Sequence, residues 1–250
     1  MDWTDEGITL GARAHGESSA IATVLTKAHG RHLGLVRGAR SKTRAPALQP
    51  GSLVDVKWRG RLEEHLGTFT VEPRKIHAHS ILSEPLELSA LSSACALAEA
   101  VLPERETHLS VYEGLLIFLE TLTDRAVWPA VLVKWEVGLL KDLGYGLELD
   151  ACAVTGAVEE LTHVSPRTGR AVSAEEAAPY AGKLFPLPGF LRDAPNVPGV
   201  KDVLDGFRIT GHFIERRLLA PHDKPIPEAR SRFLERLRRF HEAGGTLATD

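Results

Sequence analysis

With 250 residues, 43% of them hydrophobic and 25% charged, the chain has the composition of a globular protein with room for one large domain or two ordinary ones. A net charge of −3 excludes a uniformly basic polyanion binder. The charge is uneven, however: residues 27–61 hold nine Lys/Arg against one acid, Asp55, a local +8 that leaves −11 for the remainder. Two distant cysteines, Cys95 and Cys152, exclude a disulfide scaffold and point to a reducing compartment. The acidic start MDWTDEGITL is unlike a signal peptide, and no run of about 18 apolar residues would cross a membrane. A cytoplasmic protein is the expectation.

In chain order, residues 1–78 read as all-β. Ile8–Ala14 forms a first strand and His15–Ser18 a turn. Ala20, Ala22, Val24 and Thr26 share one face of the next strand, which turns tightly at His29-Gly30. In the return strand Leu33 and Leu35 alternate with His32, Gly34 and Val36. A loop then carries Arg37, Arg40, Lys42 and Arg44 in eight residues without an acid, and Gln49-Pro50-Gly51 is strong turn chemistry. Leu53–Arg59 alternates, with Val54, Val56 and Trp58 on one face and Leu53, Asp55, Lys57 and Arg59 on the other. After Gly60-Arg61, a fifth strand runs His65–Val71 and ends at Pro73. Five strands of this size match a small OB-type Greek-key barrel. An SH3-like barrel has similar length, and pattern alone does not separate the two.

From residue 79 the texture turns helical. Leu82–Leu102 is rich in Leu, Ala and Glu and is broken by Pro103. Thr107–Thr123 places Leu109, Tyr112, Leu115, Leu116 and Leu119 at helical spacing. Trp128–Tyr145 is apolar around much of its circumference, so it reads as the centre of a second domain. An irregular insertion with short strands follows at about 150–200, including the PLPGF and APNVPG loops. Two helices close the domain, Lys201–Leu219 and Ile226–Glu242, the latter with Ala229, Phe233, Leu237 and Phe240 as its apolar stripe. The expected division is therefore 1–78 and 79–242, with 243–250 a disordered tail.

The basic cluster is the main chemical signal. Lys27, Arg31, Arg37, Arg40, Lys42, Arg44, Lys57, Arg59 and Arg61 are the candidate phosphate contacts. The loop residues Arg37, Arg40, Lys42 and Arg44 lead, because the Gly38 turn and the Pro46 boundary keep them exposed. Trp58 alternates with Val54 and Val56, which assigns it to the barrel core rather than to base stacking. With only Trp3 and Phe69 beside it, the domain favours a phosphate-tracking site over an aromatic platform. His15, His29, His32, His65, His77 and His79 lack the partner ligands a metal needs, although His77-x-His79 would share a strand face. Cys95 lies in a Leu/Ala helix and reads as a small buried hydrophobe. There is no phosphate loop, nucleophile elbow, HExxH or GxGxxG, and the acids Glu63-Glu64 and Glu159-Glu160 are mere neighbours. A non-enzyme is expected. In the second domain Phe213, Arg216, Arg217 and Arg232 are candidate partner contacts. There the arginines of both closing helices would receive an acidic peptide, and Phe213, Leu218 and Phe233 its apolar end. A solvated helix face is the competing reading.

Arg13-x-x-Gly16-Glu17, Thr26, His29-Gly30, Arg37-Gly38-Ala39-Arg40 and Leu66-Gly67-Thr68 together resemble the RecO family of bacterial recombination mediators. The resemblance extends over nearly the whole chain, including Cys152-x-x-Thr155-Gly156, where many relatives hold a zinc. It implies an α+β architecture: an N-terminal OB-fold β-barrel, then a mainly α-helical domain. It also implies binding to single- and double-stranded DNA and annealing of complementary strands. It further implies partnership with RecR in loading RecA onto DNA coated by single-stranded DNA-binding protein (SSB), contact with the acidic SSB C-terminal tail, and no cofactor. The setting would be the nucleoid-associated cytoplasm. Zinc-holding relatives use two CxxC pairs. Here Cys152 remains, Thr155 stands at its partner position, the second pair is missing from Ser165–Ser173, and His163 adds at most one ligand. A degenerate zinc-finger-like insertion without zinc is expected. Two alternatives stay open: an RNA-binding OB factor in translation or ribosome assembly, separable by DNA/RNA competition, and a protein-binding adaptor without nucleic-acid affinity.

Overall fold

The computed structural model describes residues 1–62, 64–192 and 197–247. Its first strand, β1 (Asp2–His15), is long enough to serve two partners. Residues 2–8 pair with β4 (Ser52–Arg59), from Asp2↔Arg59 to Ile8↔Leu53. Residues 7–15 pair with β2 (Ser19–Thr26), from Gly7↔Thr26 to His15↔Ser19. A register shift between Thr9 and Gly11 bends the strand between the two roles. With β3 (Gly30–Val36) and β5 (Thr68–Ile76) the strands close into a barrel in the order β1-β2-β3-β5-β4. This is the expected OB-type barrel. The turn Pro46–Leu48 folds Ala47 and Leu48 into a core that includes Val24, Val36, Val54, Val56, Trp58 and Phe69.

Three local features bear on the strands. In β3 the inward face is His32, Gly34 and Val36, while Arg31, Leu33 and Leu35 face outward and are half-buried. The ring of Phe69 fills the space inside: a Cβ on Gly34 would lie 2.4 Å from Phe69 Cδ2. The barrel thus uses a glycine where a neighbouring ring needs the room. Pro73 does not end β5. It sits opposite Val54 beside a register shift, where the ladder needs no donor, and the strand continues to Ile76. His77 and His79 then lie in a 3₁₀ turn, His77–Ile81, and not on a strand face. The buried His77 donates Nδ1–H to the Gly51 carbonyl at 2.9 Å, and His79 is exposed.

The chain resolves into two compact units, residues 1–123 with 227–233, and residues 124–226 with the chain from 234 on. The last barrel strand ends at Ile76, and the first two helices belong to the barrel's unit. α1 (Pro85–Val101) packs on β1, with the fully buried Cys95 at the Thr9 carbonyl, and Thr23 Oγ1 of β2 donates to Glu99 Oε1 at 2.7 Å. α2 (Leu109–Thr121) buries Val111, Tyr112, Leu115, Phe118 and Leu119.

The link between the two helices runs along β3. Arg31 and Glu104 form a parallel bridge, and a Cβ on Gly30 would fall 1.9 Å from the Glu106 carbonyl oxygen. Glycine is required there twice over, since its φ is +66°.

In the second unit α3 (Trp128–Asp142) is buried on most sides, as its sequence predicts. A small sheet follows, β6 (Glu148–Cys152), β7 (Leu161–Val164), β8 (Arg170–Ser173) and, after the short helix α4 (Ala174–Ala177), β9 (Phe185–Pro186), in the order β6-β8-β7-β9. α5 (Val200–Phe213) packs on α3 at Gly206 and continues without a break into a π-turn, Ile214–Leu219. The closing helix α6 (Glu228–Glu242), whose residues up to Phe233 fall in the first unit, buries Arg230, Phe233 and Leu237. Of the expected tail, Leu247 is buried, so order reaches at least that far; residues 248–250 lie outside the described residues, as does part of the APNVPG loop. Among the described residues no helix is long and apolar enough to cross a membrane.

Candidate nucleic-acid interface

The nine basic candidates do not form one patch. Arg37, Arg40 and Lys42 project from the β3–β4 connection and are exposed. Arg44 closes that connection on itself, its Nη1 donating to the Arg37 carbonyl at 2.6 Å. Ser41 carries the turn beneath it, accepting the N–H groups of Arg44 and Ala45 at its carbonyl. The loop is also tied to the β1–β2 turn by the Ala39 N–H donating to the Ser18 carbonyl at 2.8 Å. The turn contains Glu17 and is preceded on β1 by Arg13 and His15, both exposed. Sequence reasoning left Arg13 out of the cluster because twenty-odd residues of strand separate it from Arg37; its place on the β1 end, just before a turn, was the signal available.

The remaining candidates have other employment. Arg31 is a correction: Nε donates to the Leu102 carbonyl at 2.7 Å and the guanidinium faces Glu104 at 3.6 Å, with 14% of the side chain exposed. It fastens the helical link to the barrel. Lys27 pairs with Glu6 at 3.0 Å, and Glu6 also holds Arg74 at 2.6 Å. The hydrogen bond from Lys27, with that from Arg74, holds the Glu6 carboxyl below the usual carboxylate range against the effect of burial.

Lys57 and Arg59 point outward from β4, as their alternation predicts, but into an acidic lattice. The cross-strand neighbours are Glu6 and Glu72 beside Asp55, and Asp2 beside Arg59. Asp5, Asp55, Lys57 and Glu72 line one shallow groove there. This face is close to charge-balanced, which makes it a poor phosphate track. Arg61 is exposed in the β4–β5 loop, whose Gly67 carbonyl accepts the Leu35 N–H at 3.1 Å, so the loop meets the end of β3 from which the basic connection departs.

Aromatic stacking is closed off. Trp58 is fully buried and donates Nε1–H to the Leu66 carbonyl at 3.1 Å. Half-buried Trp3 has His29 stacked on one side, centroids 4.1 Å apart, and Trp58 at 5.8 Å in a near-parallel plane. His29 is fixed in turn by Asp5, its Nδ1–H donating to Oδ2 at 3.0 Å. The site that remains is a cationic loop without an aromatic platform, suited to the sequence-independent phosphate chain.

The candidates on the two closing helices are also rearranged. Phe213 is fully buried, and Leu218 and Phe233 are buried as well, so none of them can receive a peptide's apolar end. Arg216 is exposed and Arg217 half-buried. Arg232 pairs with Glu228 within α6, and Glu235 pairs with Arg238 and Arg239.

The zinc position that the resemblance implies does not suit a zinc ion. Cys152 Sγ lies 3.4 Å from Ser173 Oγ and accepts the Ser173 N–H at 3.3 Å. One thiol among neutral hydroxyls is not a structural zinc donor set. Among the described residues no group of three or more His, Cys, Asp or Glu could hold a metal. Burial pushes the Cys152 thiol up, but the hydrogen bonds from Ser173 and Thr155 together outweigh it and bring the thiol down to about 6.

Fold and site together define a class: an OB-type barrel with a cationic strand connection, followed by helices that carry a small four-stranded sheet. Residues 1–76 match the family model described as Recombination protein O N terminal, and residues 82–225 the one described as Recombination protein O C terminal. The chain belongs to the RecO family. It is 45% identical over 247 residues to the DNA repair protein RecO of Rhodospirillum centenum, covering 98% of both chains. The protein of the same name from Rhodospirillum rubrum is 47% identical over 249 residues, 97% of this chain and 99% of the relative. That from Cereibacter sphaeroides is 48% identical over 242 residues, 96% and 100% respectively.

Proposed function

We propose that this chain acts in DNA repair and homologous recombination as a non-enzymatic mediator. It would bind single- and double-stranded DNA, anneal complementary strands and, with RecR, assist loading of RecA onto SSB-coated DNA in the nucleoid-associated cytoplasm. Family membership supports the repair role. The single observation that carries the DNA-binding reading is the exposed, acid-free Arg37–Arg44 connection, held in shape by Arg44 on the Arg37 carbonyl and by Ala39 on Ser18.

The mechanism is electrostatic. Two complementary strands repel through their phosphates. Cations that displace counterions from one strand lower that repulsion and leave the bases free to pair. Because Trp3 is already stacked with His29 and Trp58 is buried, the bases are not held by stacking, which is what a protein must avoid if they are to find partners.

The test is binding of labelled single-stranded DNA across a salt series for the wild type and for Arg37→Ala/Arg40→Ala/Lys42→Ala. Arg44 is kept because it holds the loop. The salt slope is expected to fall by about 2, at about 0.7 per phosphate contact on a single strand. Wild-type protein that fails to bind DNA at about 50 mM salt, where such contacts are strong, would overturn the reading.

A further inference from the structure

We infer that the second unit carries a second phosphodiester-binding surface, formed by Arg167, Arg208, Arg216 and Arg217 around the β7–β8 turn. The inference rests on the reading of the barrel loop as a DNA site and adds a separate hold on the strand.

The cluster is built by the change of helical pitch at the end of α5. A π-turn brings residues five apart onto one side, and here both His212 and Arg217 reach the same short turn. His212 donates Nε2–H to the Pro166 carbonyl at 2.9 Å, and Arg217 Nη2 donates to the Thr168 carbonyl at 3.1 Å. Arg167 stands exposed between those two carbonyls. One helical turn back from His212, Arg208 lies over the Phe185 ring at 5.0 Å, and that ring meets the edge of His212 at 5.2 Å. The Arg217 guanidinium lies 4.8 Å over Phe213. Arg216, in the π-turn, is exposed.

Charge and shape select the ligand. Arg170 is neutralised by Glu148 at 2.8 Å, and Glu215 is the acid within the π-turn, so the four arginines keep a net +3. Two guanidinium planes are set by rings beneath them before any ligand arrives, which lowers the ordering cost of binding. An acidic peptide with an apolar terminus would need an open apolar seat, and the neighbouring Phe213 and Leu218 are buried. A cluster of cations, two of them held over rings and two free to reach outward, without such a seat fits a phosphate chain. Two separate phosphate surfaces on one chain give an annealing protein a hold for each of two like-charged strands.

The test uses the full chain and the pair Arg167→Gln/Arg216→Gln, whose exposed side chains make no hydrogen bond among the described residues. Circular dichroism and the thermal midpoint are expected to match wild type. On a long labelled single strand the salt slope should fall by about 1.4, for two lost contacts, and the rate of annealing of complementary strands should fall with it. A wild-type slope and annealing rate in this variant would overturn the inference. So would loss of binding to an acidic peptide with an apolar C-terminal end while the DNA slope holds. The loop variant separates the two readings. If it binds as wild type while Arg167→Gln/Arg216→Gln is weakened, the barrel loop fails and the second surface stands; the reverse pattern removes the second surface alone.

Discussion

Arg105 donates its backbone N–H to the carbonyl of Arg31 at 2.8 Å, from a left-handed backbone at φ +62° that an arginine seldom adopts. Its guanidinium compensates by donating to the Glu64 carbonyl at 3.0 Å. Arg105→Ala keeps the strained backbone and loses that bond, so it should destabilise the protein by about 1–2 kcal/mol. Arg105→Gly should recover part of the loss, because glycine tolerates this φ. Urea denaturation of the three proteins checks the order; Gly below Ala would contradict it.

Arg31→Ala separates a fastening residue from a phosphate contact. It should lower stability while leaving the slope of DNA affinity against salt at its wild-type value, whereas Arg40→Ala should do the reverse. A reduced salt slope in Arg31→Ala would return Arg31 to the DNA site.

His32 is buried among Trp3, Trp58 and Phe69. Desolvation, with the Arg105 and His29 charges nearby, pulls it down to about 4 from its ordinary 6.5. Between these values the unfolded chain binds a proton that the folded chain refuses, so stability is complete above about 6.5 and falls as the pH drops toward 4. The loss should be roughly 2–3 kcal/mol. His32→Phe should flatten the curve of urea midpoint against pH over this window, apart from a smaller share kept by His77, whose burial also lowers its pKa.

Gly34→Ala should cost about 1–3 kcal/mol by driving a methyl into Phe69. Phe69→Leu in the same chain should give back part of that cost, and the coupling can be read from a double-mutant cycle. Additive effects would mean that the two residues do not share the space.

The two cysteines should titrate far apart. Burial pushes the Cys95 thiol up to about 12, whereas Cys152 is brought down to about 6. Thiolate absorbance should show one step near pH 6 in the native protein, lost in Cys152→Ser. Because the folded value lies below the unfolded one, Cys152 contributes stability above the ordinary thiol range and loses it as the pH falls through about 6.

What the sequence disclosed follows from how local each signal is. The β4 faces were legible because Val54, Val56 and Trp58 alternate strictly with charged residues. The β3 face was not: its inward side is a histidine, a glycine and a valine, and the occupant of the gap at Gly34 comes from Phe69, thirty-odd residues later. The first half of β1 was missed because Asp2, Thr4 and Glu6 look like a polar leader until their partners on β4 are known. At the site, the exposure of the loop arginines was readable from the Gly38 and Pro46 punctuation. The fate of Arg31 and Lys27 was not, since each is decided by a partner distant in sequence, Leu102 and Glu6. The π-turn that gathers the second-unit arginines leaves no mark in residue type.

The parallel pair that closes the barrel has one registered contact, Leu35 with Thr68, and further along β3 Arg31 pairs with Glu104 and Arg105 in the segment between α1 and α2. The barrel is therefore not a portable module. A chain ending after β5 would leave the Arg31 carbonyl and its neighbours facing water, an open strand margin that invites pairing with another chain. Shortening the protein to its first 78 residues should give self-association in place of a monomeric DNA binder, and the barrel and its two following helices should be inherited together.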